Sequence, residues 1–124
     1  MKLTNKQIVE SRVAIQKVLS NDLSIRTQFK LNKNVAELNN VISIYEGSRQ
    51  KLIEKYCDKD KEGKPIIVNG CYTFKEKNEE FNKDFNDLND IENEINIEQL
   101  TLDELDGVKL NNAEFNAIKF LIKE

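Results

Sequence analysis

From Ser24 to Tyr56, apolar residues recur at Leu31, Val35, Leu38, Ile42, Tyr45, Leu52 and Tyr56 in alternating steps of four and three, with Arg49 filling the one remaining register position. That spacing is the seam of a helix packed along its length against something else, because four-and-three steps keep one stripe of side chains on one side of a 3.6-residue turn. At 1.5 Å per residue the rod would be about 50 Å long. A compact chain of 124 residues has a radius of gyration of only about 14 Å. The sequence therefore leaves two expectations open. Either the helix bends near Gly47, where glycine weakens it, or it overhangs the body of the molecule and meets a partner.

The rest of the chain is arranged around that rod. Leu3-Thr4-x-x-Gln7 announces a first helix through a capping box, with Leu3 and Ile8 as its hydrophobic staple and Ile8, Ile15, Val18 and Leu19 as the apolar face out to about Ser20. Ser24 caps the long helix. After Cys57, the run Asp58 to Pro65 is loop, and Asn69-Gly70 between Ile66-Ile67-Val68 and Cys71-Tyr72-Thr73-Phe74 predicts a tight hairpin, since both central residues of such a turn need positive φ. A two-stranded ribbon is marginal alone, and Ile95 and Ile97 alternate correctly to supply a third strand. A helix is expected from about Glu76 to Asp90 with Phe81, Phe85 and Leu88 inward. Thr101 caps a short turn through Leu105, and Asn111 or Asn112 caps a final helix bearing Phe115, Ile118 and Leu121. The expectation is one small α+β domain spanning 1–124, mostly helical, with a long central helix, a small hairpin that is open to a third strand, and a short C-terminal helix.

Chemistry is limited by what is missing. The chain has no His and no Trp, which removes imidazole as general base, metal ligand and relay residue. Asp58-x-Asp60-x-Glu62-Gly63 imitates the start of a calcium loop, but the twelfth position is Asn69, and Lys59, Lys61 and Pro65 break the pattern. A solvated helix-to-hairpin turn is expected there. Cys57 and Cys71 lack the further ligands a zinc site needs and the base a nucleophilic thiol needs, so both are expected as free thiols. The sequence thus predicts no catalytic residue, no metal and no cofactor. The lysines between Lys51 and Lys64 alternate with Glu54, Asp58, Asp60 and Glu62, a mixed solvated surface rather than a nucleic-acid patch. No apolar run approaches a membrane span and the N-terminus lacks a signal peptide's apolar stretch, which predicts a cytoplasmic protein.

Charge is the least ordinary property. Residues 1–74 carry 13 basic and 8 acidic side chains, whereas residues 75–124 carry 6 and 14. Glu76, Glu80, Asp84 and Asp87 form a stripe at four, four and three on the Phe81 helix, and Asp90, Glu92 and Glu94 extend it. A solvated face is the ordinary reading of such a run. The sharper one is a row of carboxylates that imitates a phosphate backbone and occupies a basic nucleic-acid channel.

The opening MKLTNKQI, the helix end YEGSRQKLIEKY, the loop and hairpin DKEGKPIIVNGCYTF, the Phe81/Phe85/Leu88 helix and the closing LNNAEFNAIKFLIKE together resemble a family of small phage and prophage proteins of low-GC Gram-positive bacteria, catalogued as a domain of unknown function. The resemblance covers nearly the whole chain and carries no catalytic residue. It implies a setting: a part of the phage particle, or an agent that binds and disables a host machine. Together with the acidic stripe it gives the functional expectation of a non-enzymatic inhibitor acting in the host cytoplasm. It would be a monomer or homodimer that binds a host protein or protein–nucleic-acid complex, touching neither nucleic acid directly nor membrane. A structural component self-associating through the long helix is the alternative.

Overall fold

The computed structural model describes residues 1–123. The elements, in order, are β1 (Lys2–Thr4), α1 (Asn5–Glu10), α2 (Arg12–Leu19), α3 (Ile25–Tyr56), β2 (Ile67–Val68), β3 (Cys71–Tyr72), α4 (Asn78–Asn89), β4 (Glu92–Glu94) and α5 (Asn112–Ala117), with 3-10 turns at Asp103–Leu105 and Lys119–Leu121. The α+β class, the long helix, the hairpin and the short C-terminal helix are as expected. The chain divides into two compact units. One is Met1–Ile42 with the segment from Glu92 onward, and the other is Ser43–Ile91. The helix α3 contributes residues to each and continues uninterrupted through Gly47.

In the first unit, Leu3, Ile8, Ile15, Val18, Leu31, Leu38, Ile95, Leu100, Ile118 and Leu121 belong to one buried cluster. The first helix starts as its sequence dictates: Thr4 Oγ1 accepts the Gln7 N–H and the Gln7 side chain accepts the Thr4 N–H, at 3.1 and 2.8 Å. It does not continue unbroken to Ser20. Fully buried Ser11 separates α1 from α2, and its hydroxyl donates to the Ile8 carbonyl at 2.6 Å. A serine bonded back into the preceding turn competes with the helical ladder and bends it.

The third strand expected at Ile95 and Ile97 does not form; the strand in this region lies just before them. Rather than joining the hairpin, Glu92–Glu94 pairs antiparallel with β1, placing Lys2 opposite Glu94 and Thr4 opposite Glu92. The Ile95 N–H then donates to the Met1 carbonyl at 2.8 Å, with Ile95 itself buried. The reason is burial: Ile95 fills the first unit's core, and the edge beside it belongs to β1. The following stretch is clamped to α3 by Asn34, only 1% exposed, whose amide donates to the Glu98 carbonyl at 2.8 Å and accepts the Glu98 N–H at 2.9 Å. Near the start of α3, Ser24 Oγ accepts the Thr27 N–H, and Glu104 accepts from Lys30 Nζ at 3.2 Å and from the Thr101 N–H at 3.1 Å. Those bonds, the Thr101 N–H first, hold the Glu104 carboxyl below its ordinary range.

In the second unit the hairpin forms around Asn69 at φ 53° and Gly70 at φ 78°, the positive pair the turn requires, with Ile67 opposite Tyr72. Phe74, Phe81, Phe85 and Tyr45 make a row of rings with successive centroids 4.3, 5.6 and 6.5 Å apart. Ile53, Cys57 and Leu88 are buried. Along the α3 seam Leu31, Leu38, Ile42 and Tyr45 are buried and Arg49 is exposed.

Candidate functional site

The structure separates the seven sequence-predicted carboxylates. Glu76 precedes α4, Glu80, Asp84 and Asp87 lie on it, and Asp90 caps its C-terminus. Glu92 and Glu94 belong to the first unit, on β4. There Glu94 lies 2.9 Å from the Met1 amine, a bond that holds its carboxyl below the ordinary range.

Within α4, Asp84 departs from the predicted stripe. It is half-buried and accepts the Tyr56 hydroxyl at 2.5 Å, on the side of the helix that carries Phe81, Phe85 and Leu88. On a 100° helical wheel position 84 lies about 60° from 81 and about 40° beyond 88, at the border between the inward and outward faces, and the bond from Tyr56 draws its side chain inward. The outer face instead carries Glu79, Glu80, Asp87 and Asp90, all exposed, with Lys83 at its centre as the sole cation on the helix. Glu79 is a residue that the four-four-three spacing passed over. None of Glu76, Glu79, Glu80, Asp87 and Asp90 makes an ion pair among the described residues.

The two ends of this face differ energetically. Glu79 and Glu80 occupy the first turn of α4, where the positive end of the helix dipole favours them. Asp87 and Asp90 stand at the other end, whose last turn has no basic residue. There the unsatisfied carbonyls repel them, at a cost of about 0.3–1 kcal/mol each. Stability alone would put lysine in those places, so the two aspartates mark the part of the surface that stability does not explain.

The other sequence candidates are structural. The Asp58 carboxylate accepts the Thr73 hydroxyl at 2.8 Å and the N–H groups of Lys75 and Glu76 at 2.9 and 3.3 Å. These bonds, the Lys75 N–H foremost, hold its carboxyl below the ordinary range. Asp60 likewise accepts the Glu62 and Lys64 N–H groups at 2.9 and 3.0 Å. Oxygens that would wrap a cation are thus turned onto the loop's own backbone. No group of three or more Cys, Asp or Glu side chains suited to a metal ion occurs among the described residues. Cys57 is buried and Cys71 exposed, and both are free thiols. No helix among the described residues is long and apolar enough to cross a membrane.

The chain matches no family model, no curated protein and no solved structure.

Proposed function

We propose that this chain is a non-enzymatic, phage-encoded protein-binding factor that works in the host cytoplasm by stoichiometric association. It inhibits a nucleic-acid-handling or defence complex by presenting a carboxylate face to that complex's basic channel. The observation that carries this reading is the outer face of α4 and its flanks: Glu76, Glu79, Glu80, Asp87 and Asp90 make no ion pair among the described residues, and the last two sit against the helix dipole. Asp87 and Asp90, three positions apart, have Cβ atoms about 5–6 Å from one another, and Glu79 and Glu80 stand on the same face beyond Lys83. That makes a row of fixed negative charge of the kind that steers phosphate backbones into basic clefts. The resemblance to small phage and prophage proteins supports the setting.

The test is capture from host lysate on immobilised wild type and on the triple variant Glu80→Lys/Asp87→Lys/Asp90→Lys. It is run at about 0.1 M and about 1 M salt, between which the Debye length falls from about 10 Å to about 3 Å. A partner held by wild type at low salt, released at high salt, competed off by duplex DNA and absent from the variant is the expected result. Equal capture by the charge-reversed chain overturns it.

The alternative, a particle component self-associating through the long helix, has less to use. Leu31, Leu38, Ile42 and Tyr45, the heart of that seam, are already buried in their own units. Light scattering distinguishes the two, since an assembly component forms stable higher oligomers.

A further inference from the structure

Near its N-terminus α3 carries two large apolar side chains that the fold leaves in solvent. Ile25 is 86% and Phe29 66% exposed, and, four residues apart, they lie one above the other on the same face. With Arg26, Lys30, Lys33 and Glu98 they line a shallow trough of about 650 Å³ in the first unit. Leaving a phenyl ring this exposed on an otherwise ordinary helix forgoes burial that a partner could recover. The charges around it define the partner's sign. Among the described residues three cations border the trough against one carboxylate, that of Glu98, which lies 3.5 Å from Lys33 Nζ. Lys30 is tied to Glu104, Lys33 also lies 5.8 Å from the centre of the Phe29 ring, and Arg26 makes no ion pair among the described residues.

We propose that this trough is a second docking surface, opposite in sign to the α4 face, for an acidic peptide segment of a partner protein. An aliphatic or aromatic side chain of that segment packs on Ile25 and Phe29, and a neighbouring carboxylate pairs with Arg26 and Lys33. Charge complementarity sets the occupant. A single peptide carboxylate is satisfied by the Arg26 fork, and an aromatic ring beside an arginine is the usual make-up of an interface hot spot. A nucleic-acid strand needs successive ring platforms and a basic track. Here Phe29 is the one aromatic lining the trough and Glu98 stands at its edge. A membrane surface needs a broader apolar face and a larger basic excess. The surface shares no residue with α4, so its failure and that of the α4 reading are separable.

The experiment is selection of a random displayed-peptide library on the purified full chain, with Phe29→Asp as counter-target. Fluorescence anisotropy of the enriched peptides follows on wild type, Phe29→Asp, Phe29→Ala, Arg26→Glu and the α4 triple variant. Phe29 and Arg26 are both exposed, so these variants should keep their far-UV circular dichroism, and Phe29→Ala serves if Phe29→Asp does not. Enriched peptides with an apolar residue flanked by Asp or Glu, bound about tenfold more weakly by the Phe29 and Arg26 variants and unchanged by the α4 variant, are expected. Enrichment of basic or uncharged peptides, or of none that the Phe29 variants lose, overturns the proposal. So does Phe29-dependent binding of oligothymidylate or of anionic phosphatidylserine vesicles, or Phe29-dependent dimerisation.

Discussion

Replacing Asn34 tests the clamp that holds the segment after β4 onto α3. Asn34→Ala removes both the bond to the Glu98 carbonyl at 2.8 Å and the bond from the Glu98 N–H at 2.9 Å. A polar group left without its partner costs about 1–3 kcal/mol, and two are left here, though exposed Glu98 allows water to reach them. The better helix propensity of alanine returns about 0.5 kcal/mol. The net destabilisation expected is about 2 kcal/mol. With a urea slope of about 1.5 kcal/mol per molar, the midpoint by far-UV circular dichroism should fall by about 1.3 M. Asn34→Asp sharpens the test. It keeps an acceptor for the Glu98 N–H but sets a carboxylate against the Glu98 carbonyl, which raises the introduced carboxyl's pKa in the folded state. A group raised on folding contributes stability below its unfolded value and loses it as pH rises through the folded value. This variant should therefore lie closer to wild type near pH 4 than at about pH 7. Tyr45, Tyr56 and Tyr72 all belong to the second unit, so tyrosine fluorescence shows in the same titration whether that unit unfolds with the first. Asn34→Ala within about 0.5 kcal/mol of wild type, or Asn34→Asp with no pH dependence, would refute the clamp.

Three further outcomes are expected. Gly47→Ala should stabilise the chain by about 0.8 kcal/mol in thermal or urea melts, because Gly47 is helical, exposed and has nothing within 4 Å of an added Cβ; a loss of stability would show that glycine is needed there. The lowered carboxyls of Asp58, Glu94, Glu104 and Glu114 contribute stability above their unfolded values of about 3.9 to 4.3 that is lost as pH falls through the folded ones. Melting temperature should thus drop below about pH 5, and Asp58→Asn should flatten that drop while weakening amide-exchange protection of the hairpin. Asp87→Lys/Asp90→Lys should raise stability by about 0.6–2 kcal/mol through the helix dipole while weakening partner capture; a destabilised double variant would contradict the reading of those residues as placed against the fold's interest.

How much was legible in the sequence depended on how far each interaction reaches along the chain. The capping box at Thr4/Gln7, the Ser24 start of α3 and the Asn69-Gly70 turn are as expected, and Asn111 takes the last cap that the sequence had left between it and Asn112. Each is closed by atoms within four residues, where local geometry leaves few alternatives. The inward set Phe81, Phe85 and Leu88 was equally readable from helical period. The acidic character of α4 was legible too, but which of its carboxylates stay exposed was not. Asp84 turned inward because Tyr56, 28 residues earlier, offers it a hydroxyl. Glu94 bonds the Met1 amine, 93 residues away.

The sequence by itself determined the helices, their caps, the hairpin turn and the sign of the charge on α4, since these follow from backbone preference and side-chain period. Only the tertiary structure decided that Glu92–Glu94 pairs with Lys2–Thr4 rather than with the hairpin, that the residues form two compact units, and that Ile25 and Phe29 stay in solvent. Those outcomes depend on which of several equally apolar or equally hydrogen-bond-ready segments arrive together. That competition is settled by packing across the whole chain.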